Sequence, residues 1–179
     1  MAERAISRGE RLYLRRVSVR DADRFVAAVR RSRRLHRPWV ELPDTPQDFT
    51  AFMRSSRRSD TAAFVICLNG DGELAGVANL TQIFLGTFRS AYLGFSAFEP
   101  FAGQGYMTQG LELVLRHAFG PMGLHRVEAN VQPGNARSIA LVERLGFRRE
   151  GYSPRYLKIS GRWRDHVRYA ILAEELGRG

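Results

Sequence analysis

The chain has 179 residues, 44% of them hydrophobic, and a formal net charge of +10 at pH 7. This length and composition predict one domain, 1–179, with a sizeable core. The chain has no uninterrupted apolar run of membrane-spanning length and no apolar core of signal-peptide length, which predicts a cytoplasmic protein without membrane contact. The positive charge predicts attraction to polyanions such as RNA, a ribosome surface or a phosphorylated cofactor, and does not choose among them.

The first half of the chain is predicted to fold in the order β-α-α-β-β-β. Ser18 and Asp21 have the spacing of a capping box before the first helix, and Thr45 followed by a proline marks the start of the second. Asn-Gly-Asp-Gly at 69–72 predicts a hairpin, because these residues tolerate positive φ. Cys67, the only cysteine, lies in an apolar strand and is expected to be a buried thiol. The predicted strands are 11–17, 62–68, 73–83 and 88–98, and the predicted helices are 21–33 and 46–57.

Much of the excess charge lies at the C-terminal ends of these two helices. The basic residues are Arg30, Arg31, Arg33 and Arg34 in the first group and Arg54, Arg57 and Arg58 in the second. Cations at a helix C-terminus suit the helix dipole, so the two groups form either a solvated surface or a docking patch.

The second half continues as α-β-α-β-β. A helix is predicted at 107–119, a strand at 124–131, a helix at 136–145 that ends before Gly146, and two long strands on either side of Ser160-Gly161. The complete order predicts an α/β (α+β) fold, in which helices cover the faces of a mixed sheet.

A glycine-rich turn, FAGQGYMTQG at 101–110, connects a predicted strand to a predicted helix. Unpaired N–H groups at a helix N-terminus can bind an anion, and glycines allow the backbone to approach it closely. No lysine follows Gly103 or Gly105, which disfavours a P-loop, and Thr108 stands where a dinucleotide-binding motif needs its third glycine. From the local sequence, an anion site and a simple connection that needs positive φ both remain possible.

Several further motifs extend over most of the chain. They are PW in the early loop, AYLGFS, GQGYM, HRVEAN, NARS, ERLGFRREGY and GRWRDHV, with NARS about 30 residues after the glycine turn. In this combination the chain resembles the GNAT acyl-CoA N-acyltransferases and, among them, the RimJ/RimL group of ribosomal-protein N-acetyltransferases. The resemblance implies a mostly antiparallel sheet of about seven strands, with four helices on its faces and with the fourth and fifth strands splayed apart.

The resemblance also implies acetyl-CoA as cosubstrate, bound between the splayed strands. The implied roles are backbone pairing with pantetheine, contact of the glycine turn with the diphosphate, and contact with CoA from the start of the next helix. The implied residues are Phe95, Ser96 and Ala97 for pantetheine, Gly103, Gln104, Gly105, Tyr106, Met107 and Thr108 for the diphosphate, and Asn135 and Ser138 at the helix.

Two residues are candidates for the chemistry. In the RimJ/RimL group a serine at the position of Ser138 is proposed to protonate the departing thiolate; Asn135 and Ser138 also suit a plain helix cap. Glu128 alternates with apolar residues on a strand that is expected to be central, where an acid needs a partner or a task. It is therefore either a base, acting directly or through water, or half of an ion pair with an arginine.

The implied reaction is acetyl transfer to a primary amine, foremost the N-terminal α-amine of a protein such as a ribosomal protein. Trp39 and Tyr156 are expected to border the acceptor cleft, and Trp163 belongs either to this cleft or to the core. The four histidines lack metal-ligand spacing, so we expect no metal. The alternatives are acetylation of a small-molecule amine and a non-catalytic CoA- or RNA-binding module, the latter because 151–159 lacks a carboxylate that some members have. Either a monomer or a homodimer is compatible with the sequence.

Overall fold

A computed structural model of the protein describes residues 4–177; residues 1–3 and 178–179 of the predicted domain lie outside it. Its strands form one mixed, mostly antiparallel sheet in the order β1-β2-β3-β4-β5-β6-β8-β7. The strands are β1 Ser7–Arg8, β2 Leu12–Arg16, β3 Ala62–Leu68, β4 Leu74–Phe84, β5 Ser90–Ala97, β6 Arg126–Val131, β7 Arg148–Ile159 and β8 Arg162–Leu172. The predicted fold class is thereby confirmed.

The helices are α1 Ala22–Arg31, α2 Arg33–His36, α3 Pro46–Ser56, α4 Tyr106–Phe119 and α5 Ala136–Arg144. Three of them, α1, α3 and α5, begin within about a residue of the positions that their predicted capping residues indicated. Ser18 and Asp21 form a capping box before α1, across a single 3-10 turn, and the Thr45 side chain accepts from the backbone N–H of Asp48 at the start of α3. None of the described helices is long and apolar enough to span a membrane.

The structure differs from the prediction of about seven strands and four helices by two short elements. β1 has two residues and α2 has four, and neither is long enough to show a hydrophobic period. The predicted helix 21–33 is interrupted at Ser32, whose hydroxyl donates to the Ala28 carbonyl at 2.7 Å and accepts from the backbone N–H of Glu99 at 2.8 Å. This hydroxyl therefore links the end of α1 to the segment after β5.

Buried apolar residues form one cluster on each face of the sheet. The larger cluster contains residues of α4 and α5 together with Val127, Ala129 and Val131 of β6 and the alternate residues of β8. The smaller cluster, under α1 and α3, draws its strand residues from β3 and β4 and includes the buried Cys67, as predicted. The side chains of β6 and β8 that alternate with these core residues therefore lie on the sheet face opposite α4 and α5; we call this surface the open face.

β5 and β6 are the only parallel neighbours among the described strands, and they separate after a short contact. Three residue pairs join them, from Ser90–Arg126 to Tyr92–Glu128, although β5 continues to Ala97 and β6 to Val131. The predicted splay of these strands, the fourth and fifth in the sequence-based numbering, is therefore confirmed. The register shift of β5 against β4 lies at the other end, between Thr81 and Phe84.

Candidate active site

The gap between β5 and β6 exposes backbone groups of β5. The N–H of Phe98 donates to the Ala75 carbonyl of β4 at 2.8 Å. Successive residues of a strand direct their backbone N–H and C=O groups to opposite sides. The backbone groups of Ser96 therefore point towards β4, whereas those of Phe95 and Ala97 point into the gap. The sheet thus provides an open edge in its interior, at the residues predicted to pair with pantetheine.

His36 holds the far end of this edge. Its Nε2 lies 2.8 Å from the Ala97 carbonyl, and its ring meets Phe98 edge-on at 6.0 Å between centroids. Burial lowers the pKa of His36, so the neutral imidazole is favoured and Nε2–H serves as the donor to Ala97. Sequence reasoning missed this residue, because the two partners are 61 positions apart.

The glycine turn has left-handed backbone at both of its predicted glycines. Gly103 has φ 77° and Gly105 has φ 81°, values that strongly favour glycine. Gly105 is the N-cap of α4 and supplies no side-chain hydrogen bond to it. The first-turn N–H groups of α4, at Tyr106, Met107 and Thr108, therefore have no intrahelical partner and form a positive, anion-ready end.

Arg11, which was not among the predicted site residues, supports this turn from β2's N-terminal side. Its Nη1 donates to the Gln104 carbonyl at 3.2 Å, and its guanidinium lies 4.1 Å from the centre of the Tyr106 ring. The Gln104 side chain donates to the Pro100 carbonyl at 2.7 Å, and the Met107 side chain is buried in the core. Side chains thus hold the turn in place, and the backbone N–H groups of the turn remain available to a ligand.

Asn135 and Ser138 form the cap that the alternative interpretation described. The Asn135 Oδ1 atom accepts from the backbone N–H of Ser138 at 3.2 Å at the start of α5. Ser138 is half-buried, and its hydroxyl makes no hydrogen bond with any residue between 4 and 177. The cap leaves this hydroxyl free to act on a ligand, so the two roles are compatible.

Glu128 stands opposite Tyr92 in the last residue pair before the strands separate. Its Oε1 accepts from Nε of Arg126 at 2.9 Å, and the same guanidinium binds Glu150 of β7. The two carboxylates raise the pKa of Arg126, with Glu150 the largest cause, and Arg126 lowers that of Glu150. The ion pair considered for Glu128 is therefore present, and it lies at the mouth of the gap.

Tyr156 lies on the open face, beside the end of the gap. A hydrogen bond to Tyr156, together with burial, raises the pKa of Tyr92 to about 12, so both rings belong to one cluster. The Tyr156 ring also lies 6.0 Å from that of the buried His166. Arg168 and Glu128 are close enough to Tyr92 to influence its ionisation.

Trp39 closes the other side of the open face. Its carbonyl accepts from Gln132 at 2.9 Å, and a Cβ added to Gly134 would lie 3.1 Å from its indole. This attaches the loop after α2 to the residues between β6 and α5. Trp163, in contrast, is 60% exposed, so the core interpretation of that residue is wrong.

The first basic group proves to be partly structural. Nε of Arg30 donates to the Asp44 carbonyl at 2.7 Å, and Arg33 pairs with the Asp44 carboxylate at 2.8 Å. Nε of Arg31 donates to the Glu99 carbonyl at 3.0 Å. These arginines hold the Trp39 loop and the end of β5 in place, a role that neither sequence interpretation included.

Comparison with known proteins gives consistent matches. Residues 11–148 match the family described as acetyltransferase (GNAT) domain. The ribosomal protein uS5-alanine N-acetyltransferase of Escherichia coli strain K12 is 34% identical over 170 residues, which are 90% of this chain and 88% of that protein. The probable N-acetyltransferase YjcK of Bacillus subtilis strain 168 is 29% identical over 92% of this chain and 96% of its own length. Mycobacterium smegmatis RimJ in complex with CoA-disulfide has a TM-score of 0.84 at 33% identity, over 93% of this chain and 84% of that chain.

Proposed function

Because the chain belongs to the GNAT acetyltransferase family and is thus an acetyl-transferring enzyme, we propose that it transfers the acetyl group of acetyl-CoA to the N-terminal α-amine of a protein. One observation carries the cosubstrate proposal: the open edge of β5 leads to the uncapped N-terminus of α4. An extended chain of amides that ends in a diphosphate suits both features. RimJ, which shares this fold, was solved with a CoA derivative.

The residues predicted from the resemblance each contact a different part of the cosubstrate. Backbone groups of Phe95 and Ala97 pair with the pantetheine amides as a neighbouring strand would, and Ser96 connects them. The first-turn N–H groups of α4 and the turn at 103–105 bind the diphosphate. Asn135, at the start of α5, contacts CoA from the opposite side of the gap.

The chemistry needs a polarised carbonyl, a neutral amine and a protonated leaving group. A backbone N–H of β5 stabilises the oxyanion that forms when the amine nitrogen attacks the thioester carbon. The carbon–sulfur bond then breaks, and the hydroxyl of Ser138 gives its proton to the departing thiolate and regains one from solvent water, to which Glu128 in turn releases the proton of the amine. The amine loses a proton through water to Glu128, whose Oε2 is not the atom that Arg126 binds.

An α-amine suits this modest base better than a lysine does. With a pKa of about 7.7–8.0, roughly one-tenth of an α-amine is neutral at pH 7, whereas a lysine with a pKa near 10.4 is almost entirely protonated. The name of the uS5-alanine N-acetyltransferase relative points to the same class of acceptor. Trp39 and Tyr156 line the path along which the acceptor enters. The net charge of +10 favours approach to ribosomes or to nascent chains near RNA, and neither a metal nor a membrane is required.

The charges on the open face disfavour a polyamine, which is the small-molecule alternative. Arg126 pairs with both Glu128 and Glu150, and Arg148 also pairs with Glu150, so each of these carboxylates already has an arginine partner. Arg168 adds positive charge and forms no salt bridge among residues 4–177. A polycation would need unpaired acids at this place.

The test is an acetylation assay with acetyl-CoA and three classes of acceptor. The panel contains peptides with free N-terminal alanine or serine, the same peptides with a blocked N-terminus and an internal lysine, and spermidine. We expect mass spectrometry to find acetyl groups on the free N-termini alone. Acetylation of spermidine or of the blocked peptides in preference would contradict the acceptor class, and CoA binding without transfer to any amine would support the non-catalytic module.

A further inference from the structure

Two polar atoms on the open face are buried without a partner. The Oδ1 atom of Asn130, a hydrogen-bond acceptor, and the Nε atom of Arg164, a donor, have no hydrogen bond in the part of the chain that the structure describes. Buried groups of this kind cost free energy when they stay unpaired. Their presence on one surface, with opposite hydrogen-bonding character, points to a single ligand that satisfies both.

Asn130 lies in the separated part of β6. It is two residues beyond Glu128, which belongs to the last pair with β5, and its neighbours Ala129 and Val131 are in the core under α4 and α5. Its side chain therefore projects into the open face at the gap. On β5, Gly94 leaves space beside the gap, since a Cβ added there would meet nothing within 4 Å. Gly94 and Asn130 thus lie on the two strands that border the gap, and the glycine places no side chain on the β5 side between them.

Arg164 lies further along the same face. Asn130 is opposite Arg168 in the β6–β8 register, and Arg164 is four residues before Arg168 on β8. Val167 and Tyr169 are in the core, so Arg164 and Arg168 are on the open side. At about 3.3 Å per residue, Arg164 is about 13 Å along the sheet from Asn130. An extended peptide covers that distance in about four residues.

We infer that the open face binds the first three to four residues of the acceptor protein as an extended peptide, with Asn130 accepting from the attacking amine and Nε of Arg164 donating to a backbone carbonyl downstream. The inference rests on the proposed function, and it adds that backbone length, rather than the amine alone, determines recognition. A peptide N-terminus offers a donor followed by carbonyl acceptors, which matches the order of the two unpaired atoms. A polyamine offers donors throughout and leaves Arg164 unpaired.

The experiment measures kcat/KM for C-terminally amidated acceptors of one to six residues, alanine followed by glycines. Amidation removes the terminal carboxylate, so only backbone length changes. We expect kcat/KM to rise about tenfold to a hundredfold between two and four residues and then to level off, as for a gained hydrogen bond to a charged donor. In Arg164→Gln this rise should disappear, while the one-residue acceptor reacts as before. Arg116→Gln, at an exposed position near the end of α4, serves as the charge-matched control and should keep the rise.

Asn130 is tested by replacement with leucine and with aspartate. Asn130→Leu should lower kcat/KM by a similar factor for every length, and Asn130→Asp, which keeps an acceptor oxygen, should recover most of it. Acetyl-CoA affinity, measured by calorimetry, checks that each variant is folded. A flat wild-type length series overturns the inference without any variant, and so does an unchanged rise in Arg164→Gln. No acetylation of any free N-terminus would instead overturn the proposed function itself.

Discussion

The glycine turn allows a sharp test, because Gly105 has a backbone conformation that would strain any other residue, together with free space around an added Cβ. At φ 81°, alanine would occupy the left-handed region, which costs about 1–2 kcal/mol. The added Cβ would meet no atom closer than Nη1 of Arg11 at 4.0 Å, so there is no steric contribution. For a domain of this size, Gly105→Ala should lower Tm by about 2–8 °C and leave the protein folded.

The same substitution should weaken CoA binding. Alanine relieves its strain by rotating away from the left-handed region, which moves the first-turn N–H groups of α4 that we assign to the diphosphate. Loss of one charge-assisted hydrogen bond corresponds to a Kd about tenfold to a hundredfold higher. Gly105→Asn should recover part of both effects, because asparagine tolerates this region better.

Gly86 provides the matched control. It has φ 71° and nothing within 4 Å of an added Cβ, and it lies between β4 and β5, outside the candidate site. Gly86→Ala should therefore lose similar stability, measured by thermal and urea unfolding, while calorimetry finds an unchanged Kd for CoA. If Gly105→Ala binds CoA as tightly as Gly86→Ala does, the turn does not hold the diphosphate and our assignment is refuted.

Three further predictions concern the chemistry and the pH dependence. Ser138→Ala should lower kcat about a hundredfold and change the acetyl-CoA KM little, in steady-state kinetics; an unchanged kcat removes Ser138 from the reaction. Glu128→Gln should reduce kcat/KM more at pH 6.5 than at pH 8.5, where the α-amine is already mostly neutral; a loss that is equal at both pH values indicates only the ion pair with Arg126. Burial lowers the pKa of His36 below its ordinary 6.5, so the unfolded state binds more protons below about that pH and stability falls as pH decreases. His36→Gln should flatten the slope of unfolding free energy between pH 7 and 5, and a slope equal to that of the wild type would contradict this.

The sequence predicted the parts of the fold that depend on local chemistry. Ser18, Thr45 and Asn135 cap the helices that follow them, as their spacing indicated. Gly103 and Gly105 have the positive φ that the turn requires. Caps and turns involve residues within a few positions of one another, so a single sequence contains all the information that they need.

Contacts between distant segments were not predictable in the same way. The Arg126 guanidinium joins Glu128 to Glu150 because β6 and β7 lie on either side of β8, a strand order that no local pattern encodes. The lack of hydrogen-bond partners at Asn130 Oδ1 and Arg164 Nε among the described residues depends on the three-dimensional positions of the neighbouring groups, which no local pattern gives. The sequence predicted an ion pair of Glu128 with an arginine as one alternative, but only the structure identifies Arg126 as that arginine.

The short β5–β6 contact has a mechanical consequence. It divides the sheet into an N-terminal panel, β1 to β5, and a C-terminal panel, β6 with β8 and β7, joined along the sheet by three residue pairs. α4 packs on β2, β4 and β6 and so connects the two panels across the β5–β6 boundary. An extended ligand bound in the gap would add contacts to the strands on both of its sides. The cosubstrate would then act as an added strand and strengthen the link between the two panels, which in the protein alone rests on the three β5–β6 pairs and on the larger apolar cluster.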